Sequence, residues 1–399
     1  MFVSKLIVFF QLLGSLSFVL GLVLGLPVIQ VGFNDRTISK VEADMLQIAE
    51  HSWELGTACE AEAELASPAL SVFRASAFPP PTHLNPAITG NSTAMIDIAT
   101  NIVETKVPGT LPLTDGDGAV GDPASLGVAV LLANWTRDDL SDDSFSVAAQ
   151  EQLDYLLTGA PRTEDGAISH RDTQVQLWAD FVYMAPPFIA YYGALAGGAV
   201  GADLLQQAYD QCRLYRNYLR DPIGLWRHIT LGNGTDETHW GTGNAWAAAG
   251  MMRVLQTIRH SEQAQAFQSQ QEDLTNWIHE IVSAAWQFQQ ANGTLLNTID
   301  ASPWDSFADS SSTALLAATT YRLATITFDF SLIEFANKAM DVIRRSVDDD
   351  GWLQNTVDPE TFNTPSLPGE HSPEGQAFVL LLHSAWRDLA EWMVGALPP

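Results

Sequence analysis

Five short stretches of similar form constrain this chain more than any other feature. They are Asp117-Gly118-Ala-Val-Gly-Asp122, Asp165-Gly166-Ala-Ile-Ser-His170, Ile223-Gly224-Leu-Trp-Arg-His228, Asn292-Gly293-Thr-Leu-Leu-Asn297 and Asp350-Gly351-Trp-Leu-Gln-Asn355. In each, a glycine is followed four residues later by a polar side chain, and the glycines lie 48, 58, 69 and 58 residues apart. Self-similarity at such a spacing marks a repeated structural unit. Between the joints, apolar residues at 3.6 spacing predict helices over roughly 40–64, 92–105, 124–135, 144–157, 174–196, 201–219, 242–258, 262–291, 309–325, 330–346 and 374–394. Hardly any stretch alternates as a strand does, and the joints carry the Gly, Asp, Asn and Pro that caps and turns require. Each interval holds about two helices, so the unit is a helical hairpin. At about 60 residues per hairpin, residues 34–399 hold about six, the number that closes a toroid. The expectation is an all-α chain, a single (α/α)6 barrel domain over 34–399. If equivalent joints share one end of the barrel, Asp122, His170, His228, Asn297 and Asn355 line one rim, where a cleft would form. The alternative is ordinary turn chemistry, with Asp and Asn as caps and His on a backbone carbonyl.

Residues 1–33 read differently. Leu6 to Phe33 carries no charge and follows Lys5, the pattern of an export signal. Its length also suffices to span a bilayer and no Ala-x-Ala cleavage site stands out, so a retained membrane anchor is the alternative to cleavage. Secretion is the preferred reading. Asn-x-Ser/Thr sequons at Asn91, Asn134, Asn233 and Asn292 fit a glycosylating route. Two cysteines, Cys59 and Cys212, allow at most one disulfide, so the core must hold the fold. The net charge of −28, with 19 Lys plus Arg, argues against nucleic acid or an anionic membrane surface as partner. A carboxylate-rich surface keeps a secreted protein soluble in an acidic medium.

The sequence contains no phosphate-binding glycine loop, His-Glu-x-x-His, Cys-x-x-Cys or Gly-x-Ser-x-Gly element, which sets aside nucleotide, zinc-hydrolase and serine-hydrolase chemistry. Carboxylates, His, Trp and Asn remain, a set suited to sugars: aromatic faces stack on pyranose rings, and Asp or Glu supply acid and base. One carboxylate stands out. Asp180 sits in LWADFVYMAPPFIAYYG, an otherwise apolar run from Leu177 to Gly193. On a helix, Tyr183 and Met184 share its face, and Pro186-Pro187 break the helix a turn later. An apolar shell would raise its pKa and make it a proton donor at mildly acidic pH. A buried Asp satisfied by a neighbouring Arg or amide is the structural alternative.

In order along the chain, Gly166 to His170, Trp178-x-Asp180-x-x-Tyr-Met-Ala-x-Pro-Phe188, Gly224-Leu-Trp-x-His228 and Trp240-Gly-x-Gly-Asn-x-Trp246 resemble the unsaturated rhamnogalacturonyl hydrolases of glycoside hydrolase family 105, a six-hairpin family to which family 88 is related. Asp309-Ser-Ser-Ser-Thr-Ala314 resembles a later segment of that family, and the likeness covers roughly residues 115–385. The resemblance implies an exo-acting hydrolase on pectin-lyase products, which end in a uronic acid with a C4=C5 double bond. It implies that one Asp, here Asp180, protonates C4 and then helps water add at C5. It further implies substrate contacts at Asp122, His170, Met184, His228, Trp240, Asn244 and Trp246. Where many members have Arg, this chain has Thr242, so Arg171 or Arg227, each beside a rim histidine, is the candidate partner for the uronate carboxylate. No metal or cofactor is required, and the partner implied is a small oligosaccharide ending in an unsaturated uronic acid. Whether that acid is galacturonyl or glucuronyl, and which sugar leaves, stays open. Two other readings stand beside this one: an inverting glycosidase pairing Asp180 with Asp122 or Asp309, and a glycan-binding protein without catalysis.

Overall fold

The computed structural model describes residues 30–395; the charge-free segment lies, up to residue 29, outside the described residues. Among the described residues, twelve helices of ten or more residues follow one another as six hairpins: α1 (Asp35–Ile48) and α2 (Ser52–Leu65), α3 (Thr93–Thr105) and α4 (Gly127–Thr136), α5 (Ser144–Asp154) and α6 (Pro186–Ala196), α7 (Gly198–Leu219) and α8 (Gly241–His260), α9 (Gln268–Trp286) and α10 (Ser310–Thr327), α11 (Ile333–Ser346) and α12 (Pro373–Met393). The second helix of each pair lies inside. Every residue of α8 from Gly241 to Ile258 is buried, as is α10 from Ser310 to Ala324. By contrast α11 buries a single stripe that includes Ile333, Ala336, Met340 and Ile343, the mark of an outer helix with one face to water. Inner helices pack in the order α6, α8, α10, α12, α2, and α2 meets the turn before α4, which in turn packs on α6, so the ring closes. The all-α (α/α)6 expectation is met.

Two predicted helices differ from the structure. The stretch 40–64 is two helices, because the Glu54 carboxylate accepts from the Glu50 and His51 N–H groups and starts a new helix there. The stretch 174–196 begins as a short strand, Leu177–Trp178, paired antiparallel with Ile229–Thr230. A single helical turn, Phe181–Met184, follows, and Ala185 separates it from α6. Pro186 lacks the N–H that would carry one helix through. Asp180 therefore sits at a strand-to-helix junction instead of on a helix face.

The five repeat glycines, Gly118, Gly166, Gly224, Gly293 and Gly351, all have positive φ, from 79° to 112°. That conformation is what a side chain at those positions would resist. Four of the turns close identically: the N–H three residues before the glycine donates to the carbonyl just after it, as in Thr163 to Ala167, Asp221 to Leu225, Gln290 to Thr294 and Asp348 to Trp352. In the same four, the N–H two residues after the glycine donates to a helix side chain, Gln211, Asn244, Thr313 or Gln376. The repeat legible in the sequence is thus a repeat of backbone geometry.

The barrel axis is filled by charge as well as by hydrocarbon. Arg253 donates to Glu60 and Glu64 at 2.5 Å, and Arg322 bridges Glu64 (2.6 Å) to Asp388 (2.5 Å), which also takes Arg74 at 2.9 Å. Cys59 and Cys212 are both buried free thiols, so no disulfide joins them. Among the sequons, Asn91, Asn233 and Asn292 are exposed and Asn134 is half-buried in α4.

Candidate active site

The repeat turns and the starts of the inner helices meet at one end of the barrel around a cavity of about 390 Å³. It is lined by Asp122, His170, Arg171, Asp180, Met184, Trp240 and Trp246, seven of the ten residues singled out in the sequence. The same walls carry His51, Trp53, Asp117, Trp178, Glu360, Phe362 and Glu374, none of them among those ten.

Asp180 faces this cavity with its side chain 15% exposed, and its Oδ2 lies 3.4 Å from His228 Nε2. The other ring nitrogen of His228 is 3.1 Å from Asp236 Oδ2, and Asp236 also accepts from Thr238 N–H and Oγ1. An Asp180–His228–Asp236 chain results, with the imidazole fully buried between two carboxylates. Burial alone pushes the Asp180 carboxyl up, as its apolar neighbours suggested. The His228 imidazole, with His170 beyond it, outweighs burial and holds Asp180 below the ordinary carboxylate range. The raised pKa expected from sequence is therefore corrected. Burial likewise works against charge on His228, but Asp180 and then Asp236 lift its pKa above that of a free imidazole.

The second carboxyl behaves in the opposite way. Burial, reinforced by the charge of Asp180, pushes Asp122 up to about 8. Two carboxyl groups in one cavity are thus driven apart, one ionised and one neutral at pH 7. His170 is forced down to about 4, chiefly by burial, so it is a neutral ring; it stacks on Trp178 at 4.8 Å.

Around His228 the aromatic rings of Trp178, Trp240 and Phe362 stand 5.3, 4.5 and 4.6 Å away, forming a box that holds the imidazole against Asp180. Trp240 is pinned by its indole N–H to Asn297 Oδ1 at 3.0 Å, and the Asn297 amide donates to the Phe362 carbonyl. Asn297 is one of the repeat residues at glycine plus four, and its work here is to hold a wall. At the mouth, His51 lies 3.5 Å from Asp117 and 3.3 Å from Glu360.

Three of the ten do not line the cavity. His228 backs Asp180 and does not line the cavity. Asn244 is buried beneath the wall: its Oδ1 accepts from Trp226 N–H and its amide donates to the Trp226 and Trp240 carbonyls, so every polar atom is spent on backbone. Arg227 is half-buried and absent from the lining. Arg171 does line it, donating to the Asp117 carbonyl and lying 5.9 Å over the Trp178 ring, which leaves one guanidinium at the site. Thr242 is fully buried and directed at Asp309. Asp309 itself caps α10 through Ser311 and Ser312 N–H and also takes Val357 N–H, so it is not a partner for Asp180 across a sugar.

Of the residues the sequence did not disclose, Trp178 lay inside the quoted motif. Glu374 follows Ser372-Pro373 and reads as a helix start, and Phe362 sits in a loop with no periodic signal. Among the described residues no group of three or more His, Cys, Asp or Glu side chains is arranged to hold a metal ion.

The sequence profile of Glycosyl Hydrolase Family 88 matches residues 89–364. An unsaturated rhamnogalacturonyl hydrolase, YesR of Bacillus subtilis (strain 168), is 25% identical over 220 residues, 53% of this chain; the match spans 59% of that relative's length. A possible member of family GH105 from Salmonella enterica subsp. enterica serovar Paratyphi A superposes with a TM-score of 0.68 at 17% identity, covering 90% of this chain and 93% of that one. An unsaturated glucuronyl hydrolase from Bacillus sp. GL1, responsible for the degradation of glycosaminoglycan, gives 0.53 at 14% identity over 72% of this chain and 78% of that one. These solved structures share the fold.

Proposed function

Because the chain belongs to Glycosyl Hydrolase Family 88, we propose that it removes a terminal 4,5-unsaturated uronic acid from a small oligosaccharide, with Asp180 as acid and then base. The observation that carries this reading is the Asp180–His228 pair: a carboxylate that faces the cavity with an imidazole nitrogen 3.4 Å from its Oδ2. A uronate entering beside Asp180 disfavours its negative charge, which moves the Nε2 proton of the His228 imidazolium onto the Asp180 carboxyl. The C4=C5 π pair takes that proton at C4, leaving positive charge at C5 shared with the ring oxygen. Water adds at C5 and gives its proton to the Asp180 carboxylate. The hemiketal at C5 then breaks its bond to the ring oxygen, giving a ketone at C5, and the hemiacetal freed at C1 expels the next sugar.

Arg171 supplies the cation for the substrate carboxylate, and the starts of the inner helices add the positive ends of their dipoles. Trp178 and Trp240 offer faces for the ring, while the buried Trp246 and Met184 form the floor beside them. Asp122, neutral at pH 7, donates to a sugar oxygen. The reaction needs neither metal nor organic cofactor. We also set its place outside the cell, a reading supported by the acidic surface and by the exposure of Asn91, Asn233 and Asn292.

The test is loss of ultraviolet absorbance of the conjugated double bond when protein meets an unsaturated galacturonyl-rhamnose disaccharide, followed by an unsaturated glucuronyl-galactose one. Bleaching by the wild type and not by Asp180→Asn supports the mechanism; no bleaching on either substrate rejects it. A second reading, an inverting glycosidase with Asp122 as acid and Asp180 as base, is favoured by the opposite shifts of the two carboxyls. It requires release of sugar from a saturated uronide, abolished by Asp122→Asn.

A further inference from the structure

Glu374 has no role in the steps above, yet it lines the same cavity. It comes from the first turn of α12, which lies opposite α6 in the ring of inner helices, so it faces the Asp180 hairpin across the axis. The residue is 3% exposed and its Oε1 is buried without a hydrogen-bond partner. The charged groups acting on it are Glu54 of α2, Asp180 and Asp309, all acidic, and Trp53 is the neighbour that donates toward it.

An ionised carboxylate cannot be sustained there cheaply. The dipole of α12 favours negative charge in its first turn only weakly. Burying an unpaired charge costs far more than the dipole returns, so the dipole loses. Burial, then the three surrounding carboxylates, push the Glu374 carboxyl well above the ordinary range. A neutral acid offers one O–H donor and one carbonyl acceptor, the complement of a sugar hydroxyl. It also adds no like charge against a uronate.

We propose that Glu374 is a substrate-contacting, specificity-determining residue that meets the bound sugar as a neutral carboxylic acid, donating its hydrogen to a hydroxyl or ring oxygen on the side opposite Asp180. This rests on the reading of the cavity as a uronide site. A neutral amide of the same shape preserves the contact and an apolar isostere does not.

The experiment compares wild type, Glu374→Gln and Glu374→Leu on the unsaturated galacturonyl-rhamnose disaccharide, with the infrared difference between wild type and Glu374→Gln recorded at pH 7. The expected result is kcat/KM within about threefold of wild type for Gln and a loss of about 10- to 100-fold for Leu, carried by KM. The infrared difference is expected to contain the carbonyl band of an un-ionised acid, lost in the Gln variant. Gln as impaired as Leu, Leu equal to wild type, or no such band overturns the proposal. If the wild type leaves the disaccharide unchanged, the catalytic reading fails by itself. Glu374 is then decided by the infrared band together with calorimetric affinities of wild type and Glu374→Gln for the same disaccharide, equal affinities supporting it and a loss on Gln overturning it.

Discussion

His228 reaches Asp180 Oδ2 with one ring nitrogen at 3.4 Å and is anchored through the other, so the carboxylate facing the cavity is paired with an imidazole that cannot turn away. An acid that must become a base within one turnover needs a proton held close and released readily. Asp180→Asn keeps the shape and removes the titration. Its kcat is expected to fall about 10³-fold, with circular dichroism unchanged.

Asp236 touches the cavity only through His228. Removing its charge in Asp236→Asn withdraws support from the imidazolium, so the pair gives up its proton at lower pH. The alkaline limb of the kcat/KM profile moves down in pH, and kcat near neutrality drops about tenfold; an unmoved limb would show that Asp236 is merely structural.

Acid groups raised by burial set the pH dependence of stability. Glu62 and Asp122 are each pushed up to about 8, largely by burial. Between the pKa of the unfolded chain and the folded value, the folded state keeps a proton that the unfolded state releases, so stability falls as pH rises. Buried His170 and His383, both pushed down to about 4 by burial, act in the other direction, but only below the ordinary histidine pKa. The melting temperature is therefore expected to drop between pH 6.5 and 8 and to change less from 5 to 6.5, as differential scanning calorimetry would record.

Asn244 serves the backbone, so its loss is a loss of stability first. In Asn244→Leu the Trp226 N–H and carbonyl lose their partner inside the protein, each orphaned group costing about 1–3 kcal/mol, while the Trp240 carbonyl keeps the backbone N–H of residue 244. Urea unfolding is expected to show a destabilisation of about 3 kcal/mol, and KM to rise because the Trp240 carbonyl loses one of its two donors.

Glu64 joins Arg253 and Arg322 on the barrel axis, away from the cavity. Glu64→Gln leaves two buried guanidinium groups short of charge, a change that costs about 3–5 kcal/mol. Activity per folded molecule is expected to stay at the wild-type level, which separates this network from the site.

Local sequence determined a great deal. A positive-φ glycine and the polar residue four positions on recur because four of the six hairpins are joined through the same turn, and the 3.6 periodicity of the intervening stretches is the direct imprint of a buried face. Asp180 was conspicuous because a carboxylate in an apolar run demands an explanation. Ring closure decided the rest. It set His228 beside Asp180 and reversed the expected shift, committed Asn244 and Asp309 to backbone groups, and brought Phe362 and Glu374 from the far end of the chain to the cavity. Periodicity and turn propensity act over a few residues. Which polar atoms meet, and so which are charged, depends on distances between hairpins that exist only once the six are packed.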